Sequence, residues 1–102
     1  MDFERKGELE KLLGNPYTKL TIDDIAAKEI YRMYNKDGNY FTKVKKAIYR
    51  ICCNPEQAEK LSGRMKGYRS KHVGSKVIIF SYNREEGVYI KNIDQHDSAY
   101  RI

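Results

Sequence analysis

The sequence predicts an α+β domain, with helices gathered on one face of a largely antiparallel sheet. Three observations predict it. Apolar residues recur every three to four positions through most of the first half, the period of an amphipathic helix. After Gly63 the pattern changes to short apolar runs, Val77-Ile-Ile-Phe-Ser-Tyr82 and Val88-Tyr-Ile-Lys-Asn-Ile93, separated by a polar turn. At 102 residues the chain has room for one modest core.

Taken in order, Phe3 to Leu13 carries Phe3, Leu9, Leu12 and Leu13 among alternating charges, a helical pattern closed by Gly14 and broken by Asn15-Pro16. Residues 1–16 therefore form an accessory helix that packs on the rest or reaches a partner, and residues 17–102 form the main domain. Tyr17 to Ile22 alternates as a short strand that joins the same sheet. Asp23 is a good N-cap for a helix reaching about Asn35, with Ile25, Ala26, Ile30, Met33 and Tyr34 on its apolar face. Lys36-Asp37-Gly38-Asn39 has the chemistry of a turn. A further helix runs from about Tyr40 to Cys53, with Phe41, Val44, Ile48, Ile51 and Cys52 on one face and Lys43, Lys45, Lys46 and Arg50 on the solvated remainder. Asn54-Pro55 stops it and opens a short helical turn. Gly67 to Val73, Val77 to Tyr82 and Val88 to Ile93 then form an antiparallel meander, the last two joined by a hairpin loop over 83–87.

A net charge of +6 favours anionic partners: nucleic acid, an acidic protein segment or a membrane surface. The placement of the charge sharpens this, because Arg64, Lys66, Arg69, Lys71 and Lys76 lie between Lys60 and Arg84 with no Asp or Glu among them. Nine Tyr and no Trp make tyrosine the main aromatic resource. The adjacent Cys52 and Cys53 are poorly placed to bridge and read as one buried and one partly exposed thiol in a reducing cytoplasm. His72 and His96 are too few to complete a zinc site with them, so no metal site and no cofactor is expected. No apolar run is long enough for a membrane helix, and the charged start is unlike a signal peptide; a cytosolic protein is expected, away from membranes.

Four local patterns then converge. Asn54-Pro55-Glu56 follows an amphipathic helix and precedes Leu61-Ser62-Gly63. Gly67-Tyr68-Arg69 starts a strand. Val73-Gly74 leads into Val77-Ile78-Ile79-Phe80. Ile93-Asp94-Gln95-His96-Asp97 ends in Ala99-Tyr100. In this order and spacing the sequence, from about Tyr17 to Tyr100, resembles the RelE/ParE superfamily, the toxin halves of toxin–antitoxin pairs. The resemblance implies a two-helix hairpin packed on a twisted antiparallel sheet of about four strands, with the N-terminal helix as an addition. It also implies a cognate antitoxin that wraps the chain. For the RelE branch it implies metal-independent cleavage of mRNA in the ribosomal A site, which inhibits translation, with ribosome and mRNA as partners. The ParE branch instead inhibits DNA gyrase and lacks the nuclease residues.

Metal-free RNA cleavage needs a base for the 2′-OH, positive charge on the phosphate and an acid for the leaving 5′-oxygen. By resemblance these tasks fall on Arg69, Lys71, His96 and Tyr100. Arg69 and Lys71 are two apart and share a strand face, which in the family is the concave one. Arg69 is unsuited to proton transfer near neutral pH; Lys71 can act as base where neighbouring charge lowers its pKa. His96 can serve as acid or base at cytosolic pH, and Tyr100 matches the family's terminal Tyr. Arg64, Lys66 and Lys76 are expected to contact RNA phosphates. His72 is expected on the opposite face, against the helices, as a structural residue, and Tyr68 and Tyr89 as supports of the sheet. One position departs from the family: Val77 stands where an Arg often holds the scissile phosphate. That departure keeps a second reading open, a non-nuclease toxin on the same fold or a relic that only binds its antitoxin.

Overall fold

The computed structural model describes residues 5–95, which form three helices and one five-stranded sheet. Helix α1 (Lys6–Leu13) leads to strand β1 (Leu20–Ile22), then helices α2 (Asp24–Lys36) and α3 (Gly38–Cys53). A 3₁₀ turn (Pro55–Gln57) precedes β2 (Glu59–Lys60), and a second one (Gly63–Met65) precedes β3 (Arg69–Val73), β4 (Lys76–Asn83) and β5 (Gly87–Gln95). The strand order is β1-β5-β4-β3-β2. The expected α+β class and the β3-β4-β5 meander are both present.

The sheet differs from expectation in two respects. It has five strands, the extra one being the two-residue β2, which pairs Glu59 with Ser70 and Lys60 with Arg69. Both β2 residues are exposed, so no alternation of apolar residues marks the strand in the sequence. The sheet is also mixed, because β1 runs parallel to β5. Parallel pairing needs a long crossover, which α2, α3 and the meander together supply.

Element ends move for identifiable reasons. Tyr17 and Thr18 fall outside β1: the Asn15 side-chain oxygen Oδ1 accepts from Tyr17 N, and Thr18 Oγ1 donates to the Cys52 carbonyl. The turn between α2 and α3 shrinks to Asp37. Its N–H donates to Met33 O to close α2, and its carboxylate accepts from Tyr40 N to open α3. Helix α3 therefore begins at Gly38, ahead of the expected Tyr40. Strand β3 begins after Gly67, which takes φ 96°.

The main core lies between the helices and one sheet face. Ala26, Ala27, Ile30 and Met33 of α2 and Val44, Ala47, Ile48 and Ile51 of α3 meet Ile78, Phe80, Val88, Ile90 and Ile93. Helix α1 adds Leu9 and Leu13 to this core, and Glu10 Oε1 accepts from Ile22 N at 3.4 Å. Cys52 is buried in the same core, where burial pushes its thiol pKa up, and Cys53 is exposed.

Candidate nucleic-acid face of the sheet

Residues directly opposite in an antiparallel ladder share a face, so the register sorts every side chain of the sheet. Ile78 and Phe80 lie in the core under the helices. Their partners are Lys71 and Arg69, and Val73 pairs with Lys76. Arg69, Lys71 and Lys76 therefore project on the helix side. The other face carries Val77 and Ile79, whose partners are His72 and Ser70 on β3 and Asp94 and Asn92 on β5. The expectation that Arg69 and Lys71 line the open face, with His72 against the helices, is thus inverted. Alternation along β3 holds, with Arg69 and Lys71 on one face and His72 on the other; which side the helices cover is a tertiary matter.

Each expected site residue has a definite setting. Arg69 Nη1 donates to Glu56 O and Ala58 O, both at 3.0 Å, so it clamps the Pro55–Gln57 turn to β3. Lys71 lines an open cleft of about 630 Å³ at the edge of β3, where β2 begins, with Arg50, Cys53, Gln57, Ser70 and His72. Lys76 Nζ lies 3.3 Å from Glu29 Oε1 and 5.9 Å from the centroid of the Tyr40 ring. The Tyr40 hydroxyl donates to Val73 O and accepts from Lys76 N, fixing the β3–β4 turn to α3. Burial opposes ionisation of Glu29, but hydrogen bonds from Arg32 and Lys76 outweigh it and hold its pKa below the usual value. Lys76 is accordingly committed to Glu29. Arg64 and Lys66 are exposed on the segment before β3. His96 and Tyr100 lie outside the described residues.

The face turned away from the helices collects Tyr68, His72 and Tyr89, expected as structural residues, and Lys91, which no sequence motif marks. The pairing shifts from Ile79–Asn92 to Phe80–Ile90, leaving Lys91 as the extra residue of a β-bulge. Ile90 and Ile93 are three apart and would alternate to opposite faces in a regular strand. With the bulge both enter the core, and Lys91 stays on the other side, its Nζ 5.4 Å from the Tyr68 ring centroid. His72 is exposed at the far end of this face. Tyr68 packs with Leu61, Met65, Val77 and Ile79 in a second, small apolar cluster. Tyr89 Oη donates to Asp23 Oδ1 at 2.7 Å, and burial together with this bond pushes the phenol pKa up to about 12. Tyr89 is therefore a tie between β5 and α2, whereas His72, Lys91 and Tyr68 combine an imidazole, a cation and an aromatic ring on one surface. Among the described residues, no three His, Cys, Asp or Glu side chains gather to hold a metal ion, and no helix is long and apolar enough to cross a membrane.

Several solved structures share this architecture. The YoeB/ParE toxin from Agrobacterium tumefaciens superposes with a TM-score of 0.68 at 16% identity, over 76% of this chain and 96% of that one. The toxin–antitoxin complex RelBE2 from Mycobacterium tuberculosis gives 0.64 at 18%, over 80% and 100%. The DinJ–YafQ complex from E. coli gives 0.63 at 14%, over 82% and 99%.

The fold is that of the RelE/ParE-type toxins.

No family model matches the sequence, and no curated protein matches it. At these identities the likeness is one of fold. The RelE/ParE-type fold accounts for the helix hairpin and sheet together, and the neighbours are matched almost end to end while about a fifth of this chain is left over.

Proposed function

We propose that the chain is a RelE-type toxin of a toxin–antitoxin pair: a metal-independent endoribonuclease that cuts mRNA in the ribosomal A site, in the cytoplasm, and is silenced by a cognate antitoxin. The observation that carries this reading is the RelE/ParE-type fold with His72, Lys91 and Tyr68 together on the sheet face that the helices leave uncovered. In the proposed reaction a base removes the 2′-OH proton, the 2′-oxygen attacks the adjacent phosphorus, and the P–O5′ bond breaks as the leaving oxygen is protonated. The products are a 2′,3′-cyclic phosphate and a 5′-hydroxyl.

His72 suits the proton transfers, because the two ring nitrogens of an imidazole can both donate and accept a proton. Lys91 supplies charge to the pentacovalent phosphate. Tyr68 offers a stacking surface for an unpaired base, and Arg64 and Lys66 hold flanking phosphates. His96 and Tyr100 follow β5 in the chain and complete the proposed set, His96 as second acid–base group and Tyr100 beside the leaving nucleotide. Arg69 acts as a positioning residue through its clamp, and Lys71 extends the cationic track around the sheet edge.

Cell-free translation with the purified protein, read by primer extension, tests this. Wild type is expected to cut within A-site codons, and His72→Ala to cut about 10²–10⁴-fold more slowly. An absence of A-site cuts refutes the nuclease; full activity in both His72→Ala and His96→Ala refutes the assignment of the proton transfers to these two residues. A second reading, a gyrase inhibitor of the ParE type, is favoured by one observation: Val77 is fully buried in an apolar cluster at the position expected to bind phosphate. It predicts inhibition of gyrase supercoiling with mRNA intact.

A further inference from the structure

Ser70 is an anomaly on the face turned away from the helices. It is 3% exposed, and among the described residues its Oγ has no hydrogen-bond partner. A buried hydroxyl left unpaired lowers stability, so folding alone favours an apolar residue of similar size here. Its cross-strand partner is Ile79, which lies in the small cluster capped by Met65, Leu61 and Tyr68.

The cap is a single short loop. Leu61 N donates to Tyr68 O at 3.0 Å, closing the neck, and Met65 sits at its tip on a 3₁₀ turn. Gly63 and Gly67 flank the tip with φ of 63° and 96°, so the backbone there uses conformations that a side chain disfavours. Met65 is buried, while Arg64 and Lys66 on either side of it are exposed. Met65, a flexible apolar side chain, thus shares one small cluster with Ile79, the cross-strand partner of Ser70.

We propose that Met65 is a displaceable plug over a nucleobase subsite, with Val77 and Ile79 as its floor, Tyr68 as its stacking wall and Ser70 Oγ as the group that reads the base edge. This rests on the RNA reading above and adds a specificity-determining residue to it. A nucleobase has apolar faces and a polar rim, so its pocket needs an apolar floor, an aromatic ring and few polar groups. Serine both donates and accepts, and it gains its missing partner only when a base is present. Lys91, 5.4 Å from the Tyr68 ring, places a cation at the mouth for the phosphate of the same nucleotide.

The test uses protein carrying ¹³C-methyl methionine, titrated separately with each of the four ribonucleoside 5′-monophosphates. The chain has three methionines, Met1, Met33 and Met65, and Met65→Leu assigns the reporter. The expected result is a saturable shift of the Met65 methyl, with Met33 still and one base preferred. Ser70→Ala is expected to reduce that preference about tenfold while the melting temperature holds or rises. A Met65 signal that ignores all four nucleotides overturns the proposal, as does a Ser70→Ala variant with the wild-type preference. If Met65 responds but translating mRNA stays intact, the subsite stands without the nuclease. If mRNA is cut while Met65 stays silent, the subsite falls and the nuclease stands.

Discussion

The Asp23 carboxylate accepts from Ile25 N at 3.0 Å and from Tyr89 Oη at 2.7 Å, so one side chain caps α2 and ties β5 to it. This bond is worth most while the phenol keeps its proton. In the unfolded chain tyrosine titrates at about 10; in the fold burial and the Asp23 bond push Tyr89 up to about 12. The folded state therefore holds a proton that the unfolded state loses between these values. The contribution of Tyr89 is complete below about pH 10 and disappears as pH rises through about 12. Urea denaturation at stepped alkaline pH checks this: Tyr89→Phe is expected to flatten the decline in that window relative to wild type. An equally steep decline in the variant means that other tyrosines dominate. The exposed Lys6–Asp24 pair close by, 3.0 Å apart, is of little consequence for stability, because solvent screens it.

At the scale of elements, α1 shows what burial does that periodicity cannot distinguish. Leu12 and Leu13 are neighbours in the helix, yet Leu13 is sealed in the core and Leu12 is 57% exposed. Leu13→Ala is expected to cost about 2–5 kcal/mol and Leu12→Ala to stay within about 0.5 kcal/mol, both read from chemical denaturation. Similar losses for the two would mean that α1 is not docked as described. The parallel pairing of β1 with β5 is equally specific. Val88 N donates to Lys19 O at 2.9 Å, and a Cβ built on Gly87 would meet that same oxygen at 2.2 Å, at a φ of 80°. Gly87→Ala is therefore expected to lose well over about 1 kcal/mol and to raise amide exchange along β1. A variant as stable as wild type would show that the close approach is not needed.

At the scale of the molecule, the basic residues of the segment from Arg64 to Lys91 fall on two sides of the sheet. Lys76 is absorbed by Glu29 on the helix side, while Arg64, Lys66 and Lys91 belong to the face and loop assigned to RNA. Three phosphate contacts on a single strand predict a slope of log affinity against log salt of about −2, at about 0.7 per contact. Fluorescence anisotropy with a short single-stranded RNA measures it. Lys91→Ala is expected to make the slope shallower by about 0.7. Lys46→Ala, on the exposed surface of α3, is expected to leave it unchanged. Equal effects of the two would make the binding diffuse rather than confined to the sheet face.

Local chemistry made much of this architecture legible in the linear chain. Asp23 and Pro55 announce helix starts, the three- and four-residue spacing of Val44, Ile48 and Ile51 marks α3, and Val77 to Phe80 reads as a buried strand, because caps and periodicities depend on neighbours a few residues away. The order and spacing of those signals also carried the resemblance to the toxin fold. The candidate site was legible only in part. That Arg69 and Lys71 share a face follows from alternation, but which face the helices cover depends on how α2 and α3 dock. The bulge that presents Lys91 and the burial of both Ile90 and Ile93 depend on pairing with β4. The burial of the Ser70 hydroxyl depends on tertiary packing around β3. Each is a contact between residues distant in sequence, and only the folded chain decides which side of the sheet meets solvent.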